Sequence, residues 1–150
     1  MNVVAEVTIS APKEDIWQVI SNIGEADRII KGIDKVEVLE QPGCGLVGFK
    51  WRETRTMMGK QATETMWVTA ATENESYEVE ANSHGMAYHS VIRITPYSEG
   101  NRLSWEFGGE AQTFMARIMG AVFGVLMKGS VAKMLRRDLE DIKRAVEAKT

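Results

Sequence analysis

The sequence predicts an α+β fold in which a curved, seven-stranded antiparallel sheet packs against two short helices and a long C-terminal helix. Apolar and polar residues alternate in short runs through most of the first two thirds of the chain, which is the period of half-buried strands. Turn-forming residues separate these runs at short intervals, as in an antiparallel meander. From Thr113 onward the apolar residues follow a helical period. A curved sheet closed by one long helix commonly encloses a cavity, so we expect a cavity here rather than a solid core.

The first strand is predicted at residues 3–9, where apolar and polar residues alternate. Pro12 and Glu14 are typical of the first turn of a helix, because the missing N–H of proline would have no partner there and a carboxylate favours the positive end of the helix dipole. That helix is predicted to end at Gly24. A second short helix is predicted at residues 25–30.

Six further strands are predicted from alternating runs that begin at Lys35, Val47, Ala62, Tyr77, Met86 and Leu103. The second of these runs places Val47, Phe49 and Trp51 on one face. Turns rich in glycine separate the runs, among them residues 41–45 and 58–60. The short connections predict that most strands pair with the next strand along the chain.

The C-terminal helix is predicted to break. A straight helix from residue 114 to 148 would be about 50 Å long at 1.5 Å per residue, whereas a globule of this size has a radius of gyration of about 15 Å. The break is predicted at residues 128–130, because the Gly there is costly inside a helix and the Ser after it can cap a new one. Beyond it, an apolar stripe runs along one side, and charged residues four apart on the other side, such as Arg136 and Glu140, are predicted to pair.

Composition and charge limit the function classes. The 150-residue chain is expected to form one domain over residues 1–150, and its net charge of −3 argues against a nucleic acid partner. Cys44 is the only cysteine, which excludes an internal disulfide and fits a reducing cytoplasm. The N-terminus lacks the pattern of a signal peptide, and the apolar stretch 114–127 contains Arg117 and is too short to cross a bilayer. We therefore expect a soluble, cytoplasmic protein, either a monomer or a homodimer.

The sequence contains no recognisable motif for a metal or a cofactor. His84 and His89 are the only histidines, and no third ligand stands at metal spacing. Neither a phosphate loop nor a dinucleotide fingerprint is present. We therefore expect no metal and no cofactor.

Three segments carry a resemblance to a known family. They are the strand–helix junction from Ile9 to Trp17, the turn Gly43-Cys44-Gly45 and the stretch of the last helix from Arg136 to Lys143. With this order of elements the chain resembles the START-like, polyketide cyclase/dehydrase superfamily (SRPBCC), whose members have the helix-grip fold. The resemblance spans nearly the whole chain and implies a cavity lined by the inner face of the sheet. The superfamily includes cyclases, dehydratases and carriers of hormones and lipids.

If the apolar faces of the strands point into that cavity, they carry several polar side chains with them. Glu64 is the leading catalytic candidate, because a carboxylate among apolar side chains can act as an acid, a base or a hydrogen-bond partner. Arg55 and Tyr88 are the other catalytic candidates. Two alternatives remain open: Glu64 pairs with Arg55 to hold adjacent strands, or a register slip turns Glu64 toward solvent. The predicted ligand-binding residues are Trp51, Glu53, Arg55, Glu64, Met66, Tyr77, Tyr88, Trp105, Phe107, Met119 and Phe123.

Three functions are compatible with these residues. The first is a binding protein for a hydrophobic small molecule, lipid or polyketide-like, whose polar end Glu64 and Arg55 orient. The second is a cyclase or dehydratase in which Glu64 moves a proton while Arg55 or Tyr88 stabilises an enolate. The third is an assembly factor that docks on a membrane surface or a partner through residues 114–127.

Overall fold

The computed structural model describes residues 2–57, 59–83, 85–111 and 114–149, and within them all side chains except those of residues 57, 111 and 114–127. The elements in chain order are β1 (Asn2–Ile9), α1 (Lys13–Ile20), a 3₁₀ helix (Ile23–Arg28), β2 (Ile33–Glu40), β3 (Lys50–Met57), β4 (Lys60–Thr72), β5 (Ser76–Ser83), β6 (Met86–Tyr97), β7 (Gly100–Ala111) and α2 (Phe114–Glu147).

The seven strands form one antiparallel sheet in the order β1-β7-β6-β5-β4-β3-β2. From β2 to β7 each strand pairs with the next one along the chain, and β1 adds to the edge of β7. The predicted α+β fold, with a seven-stranded antiparallel sheet, short helices near the N-terminus and a long C-terminal helix, is confirmed.

The side chains of β1 show how the sheet acquires an inner face. Val3, Ala5, Val7 and Ile9 are buried while the residues between them are exposed, as a period of two requires. Helix α1 begins after Pro12, whose carbonyl oxygen accepts hydrogen bonds from the first turn of the helix. The inner face is the one that α1, the 3₁₀ helix and α2 cover.

The core is densest at the end of the sheet where β1 ends and β7 begins. Leu103 of β7 and Ile9 of β1 are completely buried there. Helix α2 packs along β1 and also contacts β7 and α1. Among its described side chains, the buried apolar ones belong to the predicted stripe and are Leu135, Leu139, Ile142 and Val146. This end of the molecule is therefore a solid core.

The predicted helix break at residues 128–130 is wrong, because α2 continues from Phe114 to Glu147. Lys128, Gly129 and Ser130 are exposed on this helix. One glycine inside a helix costs about 1 kcal/mol. A break would leave up to four N–H and four C=O groups without helical partners, which costs more than keeping the glycine in the helix.

The third strand begins later than predicted. β3 starts at Lys50, and the chain before it is a loop in which Val47 is exposed and Gly48 has a positive φ of 93°. Phe49 is buried from this loop rather than from the strand. The apolar alternation at residues 47–51 therefore comes from two different structures, of which only the second is a strand.

The continuous helix gives a test of stability. A Cβ added at Gly129 meets nothing within 4 Å, so Gly129→Ala should stabilise the protein by about 0.5–1 kcal/mol through helix propensity alone. Gly100→Ala is the control, because its Cβ would lie 2.4 Å from the backbone oxygen of Ile9. That substitution should destabilise by about 1–3 kcal/mol. Urea unfolding of the two variants measures both, and destabilisation by Gly129→Ala would contradict a continuous helix.

Candidate functional site

The register of the sheet places the predicted polar residues on the inner face. Glu53 of β3 lies directly opposite Glu64 of β4, and the next inward pair is Trp51 with Met66. Trp51 is buried and Met66 packs against the core. Because side chains two apart share a face, Glu64 points to the same side of the sheet as these two apolar residues. The register slip that would have exposed Glu64 does not occur.

Small side chains separate Glu64 from Tyr88. Ala81 and Ser83 occupy the inner face of β5, the strand between them, and Ala81 is paired with both Met66 and Tyr88. The ring of Tyr88 stacks on Phe107 with centroids 5.5 Å apart. It also lies so close to Gly109 that a Cβ there would be 3.1 Å from the ring. On the inner face between Tyr88 and Glu64, the sheet therefore carries only small side chains, and we call this part the floor of the site.

Burial changes along the strands of this face. On β7 Leu103 is fully buried, whereas Trp105 and Phe107, further along the strand, are only partly buried. On β6 Ile92 is buried and Tyr88 is partly buried. The solid core thus gives way to a half-buried surface with both apolar and polar groups. We call this surface the inner-face site and define it by the partly buried Glu64, Met66, Tyr88 and Phe107 together with the buried Ala81 between them.

Arg55 lies beside this site in a buried network that we call the Arg55 cluster, made of Glu53, Arg55 and Asp138. The guanidinium donates from Nη1 and Nη2 to the two carboxylate oxygens of Asp138 at 3.2 and 2.7 Å, and from Nε to Glu53 Oε2 at 2.7 Å. The side chains are 11, 12 and 3% exposed for Arg55, Glu53 and Asp138. A bidentate pair between an arginine and a carboxylate fixes both the position and the orientation of the guanidinium.

The electrostatics of the cluster follow from one cation between two carboxylates. Burial by itself would lower the pKa of Arg55, but the hydrogen bonds and charges of Asp138 and Glu53 outweigh it and raise the pKa. Burial raises the pKa of Asp138, and the hydrogen bonds from Arg55 only partly offset this effect. The guanidinium therefore stays charged, and by formal charge it faces two carboxylates.

The loop before β2 packs against the same cluster. A Cβ on Gly32 would lie 3.1 Å from Nη1 of Arg55, so a larger residue would press on the guanidinium. The neighbouring backbone N–H of Lys31 donates to Asp141 Oδ2 at 3.0 Å, and Arg144 donates to the other oxygen of Asp141. The carboxylates of Asp138 and Asp141 thus connect α2 to a strand and to a loop.

Tyr88 and Glu64 form the ionisable part of the inner-face site. Burial raises the pKa of Tyr88, and the negative charge of Glu64 raises it further. Tyr88 therefore keeps its O–H as a hydrogen-bond donor. Among the described side chains no hydrogen bond or ion pair engages the carboxylate of Glu64, which leaves its oxygens available to a ligand.

Two further polar groups on the inner face differ in their bonding. The Nε1–H of Trp105 is buried and has no acceptor among the described residues. Tyr77 is fully engaged, because its O–H donates to the backbone oxygen of Ile20 at 3.0 Å and its ring contacts Trp17 edge to face. Burial, with a smaller contribution from the charge of Glu53, raises the pKa of Tyr77. Tyr77 holds α1 on the sheet.

The outer face of the sheet carries a different surface. A cleft of about 590 Å³ crosses β5, β6 and β7 there, and its side chains are mainly polar, including Glu80, Glu106 and Glu110. His89 lies in this cleft and pairs with Glu78 at 3.0 Å. Within the described parts of the chain, no group of three His, Cys, Asp or Glu side chains is placed to hold a metal ion. No helix within those parts is long and apolar enough to span a membrane.

Sequence comparison assigns the family. The model for polyketide cyclase / dehydrase and lipid transport proteins matches residues 1–147. The chain belongs to this family. No curated protein sequence matches the chain at a significant level.

Several solved structures share the fold of this chain. TTHA0849 from Thermus thermophilus has a TM-score of 0.82 at 18% identity, with 100% of this chain and 99% of that one covered. A START superfamily protein from Mycobacterium smegmatis has a TM-score of 0.79 at 16% identity, with 99% of each chain covered. The Zhui aromatase/cyclase from Streptomyces sp. R1128 has a TM-score of 0.73 at 15% identity, covering 98% of this chain and 93% of that one. At these identities the likeness concerns the fold.

The structure corrects two expectations about Arg55. The predicted alternative in which Arg55 pairs with Glu64 is wrong, because its N–H groups donate to Glu53 and Asp138. The expectation that Arg55 orients a ligand or stabilises an enolate meets the same obstacle, since binding a ligand anion requires displacing a carboxylate. Sequence reasoning missed Asp138. The available signal was an acidic residue inside the apolar stripe of α2, one residue before the buried Leu139.

Some of the other predicted site residues have described side chains, and the rest do not. Trp51, Glu53 and Met66 share the inner face with Glu64, as predicted from the alternation. The side chains of Met119 and Phe123 lie outside the described residues, as does the apolar surface of residues 114–127 on which the docking hypothesis rests. Those predictions stay predictions.

The Arg55 cluster predicts an order of stabilities. Arg55→Met leaves Glu53 and Asp138 buried without their cation and should cost about 3–5 kcal/mol. Asp138→Asn should cost less, because Arg55 keeps Glu53 and the amide oxygen still accepts one hydrogen bond. Urea unfolding followed by far-UV circular dichroism measures both costs.

The matched control is Arg52→Met on the opposite face of β3. Arg52 also pairs with a glutamate at 2.7 Å, but both side chains are more than two fifths exposed, so its loss should cost at most about 1 kcal/mol. Equal costs for Arg52→Met and Arg55→Met would show that the buried cluster does not stabilise the fold more than a surface pair does.

Proposed function

We propose that this protein binds a hydrophobic small molecule, lipid or polyketide-like, at the inner-face site between the sheet and α2. One observation carries the proposal. Apolar side chains that form a solid core at one end of the sheet continue at the other end as a half-buried surface. The carboxylate of Glu64 lies on this surface and pairs with none of the described side chains. A pocket of mostly apolar lining with a few convergent polar groups is the usual form of a small-molecule site.

The residues of the inner-face site have complementary roles in this proposal. Met66 supplies adaptable apolar surface and Phe107 supplies flat apolar surface, and the buried Ala81 between Met66 and Tyr88 adds only a methyl group. Tyr88 keeps its O–H and can donate to a carbonyl oxygen of the ligand. Glu64 can accept a hydrogen bond from it. The family description, which names both cyclases and lipid transport, supports a ligand of this kind.

The first experiment is native mass spectrometry of the purified protein, followed by denaturing extraction of any bound molecule. It is combined with a fluorescence titration of Nile red, an uncharged apolar dye. A co-purified apolar molecule, or saturable dye binding, would support the proposal. A protein that carries nothing and binds no dye would contradict it.

Filling the floor of the site should block binding. Ala81→Phe places a ring between Met66 and Tyr88 and should weaken Nile red binding by roughly tenfold or more, which is about 1.4 kcal/mol. Asn82→Phe is the control, because Asn82 neighbours Ala81 in β5 but is exposed on the opposite face. It should leave the dye affinity within about threefold.

Folding of both variants is checked by circular dichroism. If Ala81→Phe does not fold, Ser83→Phe replaces it, because Ser83 is the next inward residue of β5 and is only partly buried. Equal dye affinities for the inner and outer variants would place the ligand elsewhere.

The Tyr88 and Glu64 pair also favours a second candidate function, a cyclase or dehydratase acting on a polycarbonyl substrate. Glu64 would remove a proton from the carbon next to a carbonyl group, and the Tyr88 O–H would donate to the oxygen on which negative charge develops. The geometry behind it is that Tyr88 and Glu64 lie on the same face of the sheet, where burial and then the charge of Glu64 raise the pKa of Tyr88. Arg55 has no part in this scheme, because its N–H groups are already bonded to Asp138 and Glu53.

Turnover of a synthetic aromatic poly-β-ketone, followed by chromatography, tests the catalytic proposal. Glu64→Gln should lower the rate by about 10²–10⁴-fold, the usual contribution of a general base. Nile red affinity should change by less than about threefold, since this dye has no hydrogen-bond donor for Glu64. Activity that survives Glu64→Gln would exclude the assigned role, while leaving the binding proposal intact.

A further inference from the structure

We infer that the inner-face site selects ligands whose polar end donates hydrogen bonds or carries a positive charge, such as phenols, alcohols and amines, and that it discriminates against carboxylates. This inference rests on the proposed binding function and specifies the class of ligand. If the inference holds, the protein is a carrier of hydroxylated or basic aromatic molecules and not a carrier of free fatty acids. Four observations lead to it.

The first observation is that Arg55 is not available as an anion receptor. Its Nη1 and Nη2 atoms donate to both oxygens of Asp138, and its Nε atom donates to Glu53. A ligand carboxylate that replaced Asp138 would break two of these hydrogen bonds and leave the carboxylate of Asp138 buried without a cation. The displaced group is only 3% exposed, so water cannot solvate it in place.

The second observation is the balance of charge. The Arg55 cluster contains one guanidinium and two carboxylates. The charge of Asp141 lies close enough to the buried Asp138 to contribute, after burial and the charge of Glu53, to raising the pKa of Asp138. Glu53 receives a further, longer hydrogen bond of 3.4 Å from Trp51 Nε1, which is an uncharged donor. By formal charge the cluster therefore has an excess of carboxylates beside the inner-face site.

The third observation is that Glu64 adds to this negative charge and has no counter-ion among the described side chains. It lies directly opposite Glu53, and none of the ion pairs among the described residues includes it. Lys60 is the next cation along the same face of β4. It stands four residues away, about 13 Å along the strand, and is exposed at the start of the strand.

The fourth observation is the response of a neutral group nearby. Tyr88 lies on the same inner face as Glu64, where burial raises the pKa of its hydroxyl and the negative charge of Glu64 raises it further. A ligand carboxylate at the same place would meet the same potential and be disfavoured, whereas an ammonium group would be favoured. A hydroxyl group would donate to Glu64 without a charge penalty.

A matched set of ligands on one ring tests the inference. The set is 2-naphthalenemethanol, 2-naphthylmethylamine and 2-naphthoate, each measured by displacement of Nile red and by calorimetry at neutral pH. The alcohol and the amine should bind at least about tenfold more tightly than the carboxylate. Binding of naphthoate equal to or tighter than that of the alcohol would overturn the inference.

Two variants connect the selection to Glu64. Glu64→Gln keeps the shape of the side chain and removes its charge. It should reduce the ratio of the affinity for 2-naphthylmethylamine to the affinity for 2-naphthoate to less than about a third of the wild-type ratio. Glu106→Gln is the control, because Glu106 is exposed on the outer face of β7 and its substitution removes the same charge. The control should leave the ratio unchanged. A ratio that Glu64→Gln does not alter, or that both variants alter equally, would overturn the role of Glu64.

The same measurements separate the two proposals. If Nile red binds and naphthoate is the preferred ligand, the inference fails while the binding function stands. If neither the dye nor any of the three naphthyl compounds binds, the proposed function fails, and the inference fails with it.

Discussion

The bidentate salt bridge between Arg55 and Asp138 connects strand β3 to helix α2 across the inside of the molecule. The loop before β2 closes on the same pair, because Gly32 leaves space for the guanidinium and Asp141 binds the backbone N–H of Lys31. Sheet, loop and helix therefore meet at one buried cation. Burying such a pair costs desolvation free energy, and removing one partner afterwards destabilises the protein even more. The pair therefore fixes the position of α2 over the sheet.

This constraint also determines the chemistry available at the inner-face site. A free arginine beside an apolar cavity would recognise anions, but the N–H groups of Arg55 are bonded to protein carboxylates. The polar character of the site then depends on Glu64 and Tyr88, an acceptor and a donor. The structural requirement for holding the helix and the donor preference that we propose for the ligand thus have the same origin, a surplus of carboxylates around one guanidinium.

Sequence reasoning succeeded where the signal was local and periodic. The alternation of β1 predicted its buried residues, and the alternation of β4 predicted that Glu64 shares a face with Met66. It failed at α2, where one glycine was interpreted as a break although its cost is smaller than that of two new helix ends. It also failed for Arg55, because its partner Asp138 is 83 residues away along the chain, and no spacing rule connects the two.

The sequence by itself determined the elements, their order and the inward faces of the strands, because these depend on periods of two and 3.6 residues that can be counted along the chain. It also determined the family, through a match that covers residues 1–147. Only the tertiary structure decided which carboxylates pair with Arg55 and that Glu64 pairs with none of the described side chains. That choice depends on how the strands and the last helix approach one another in space, and charged side chains on different elements select partners only when packing brings them within hydrogen-bond distance.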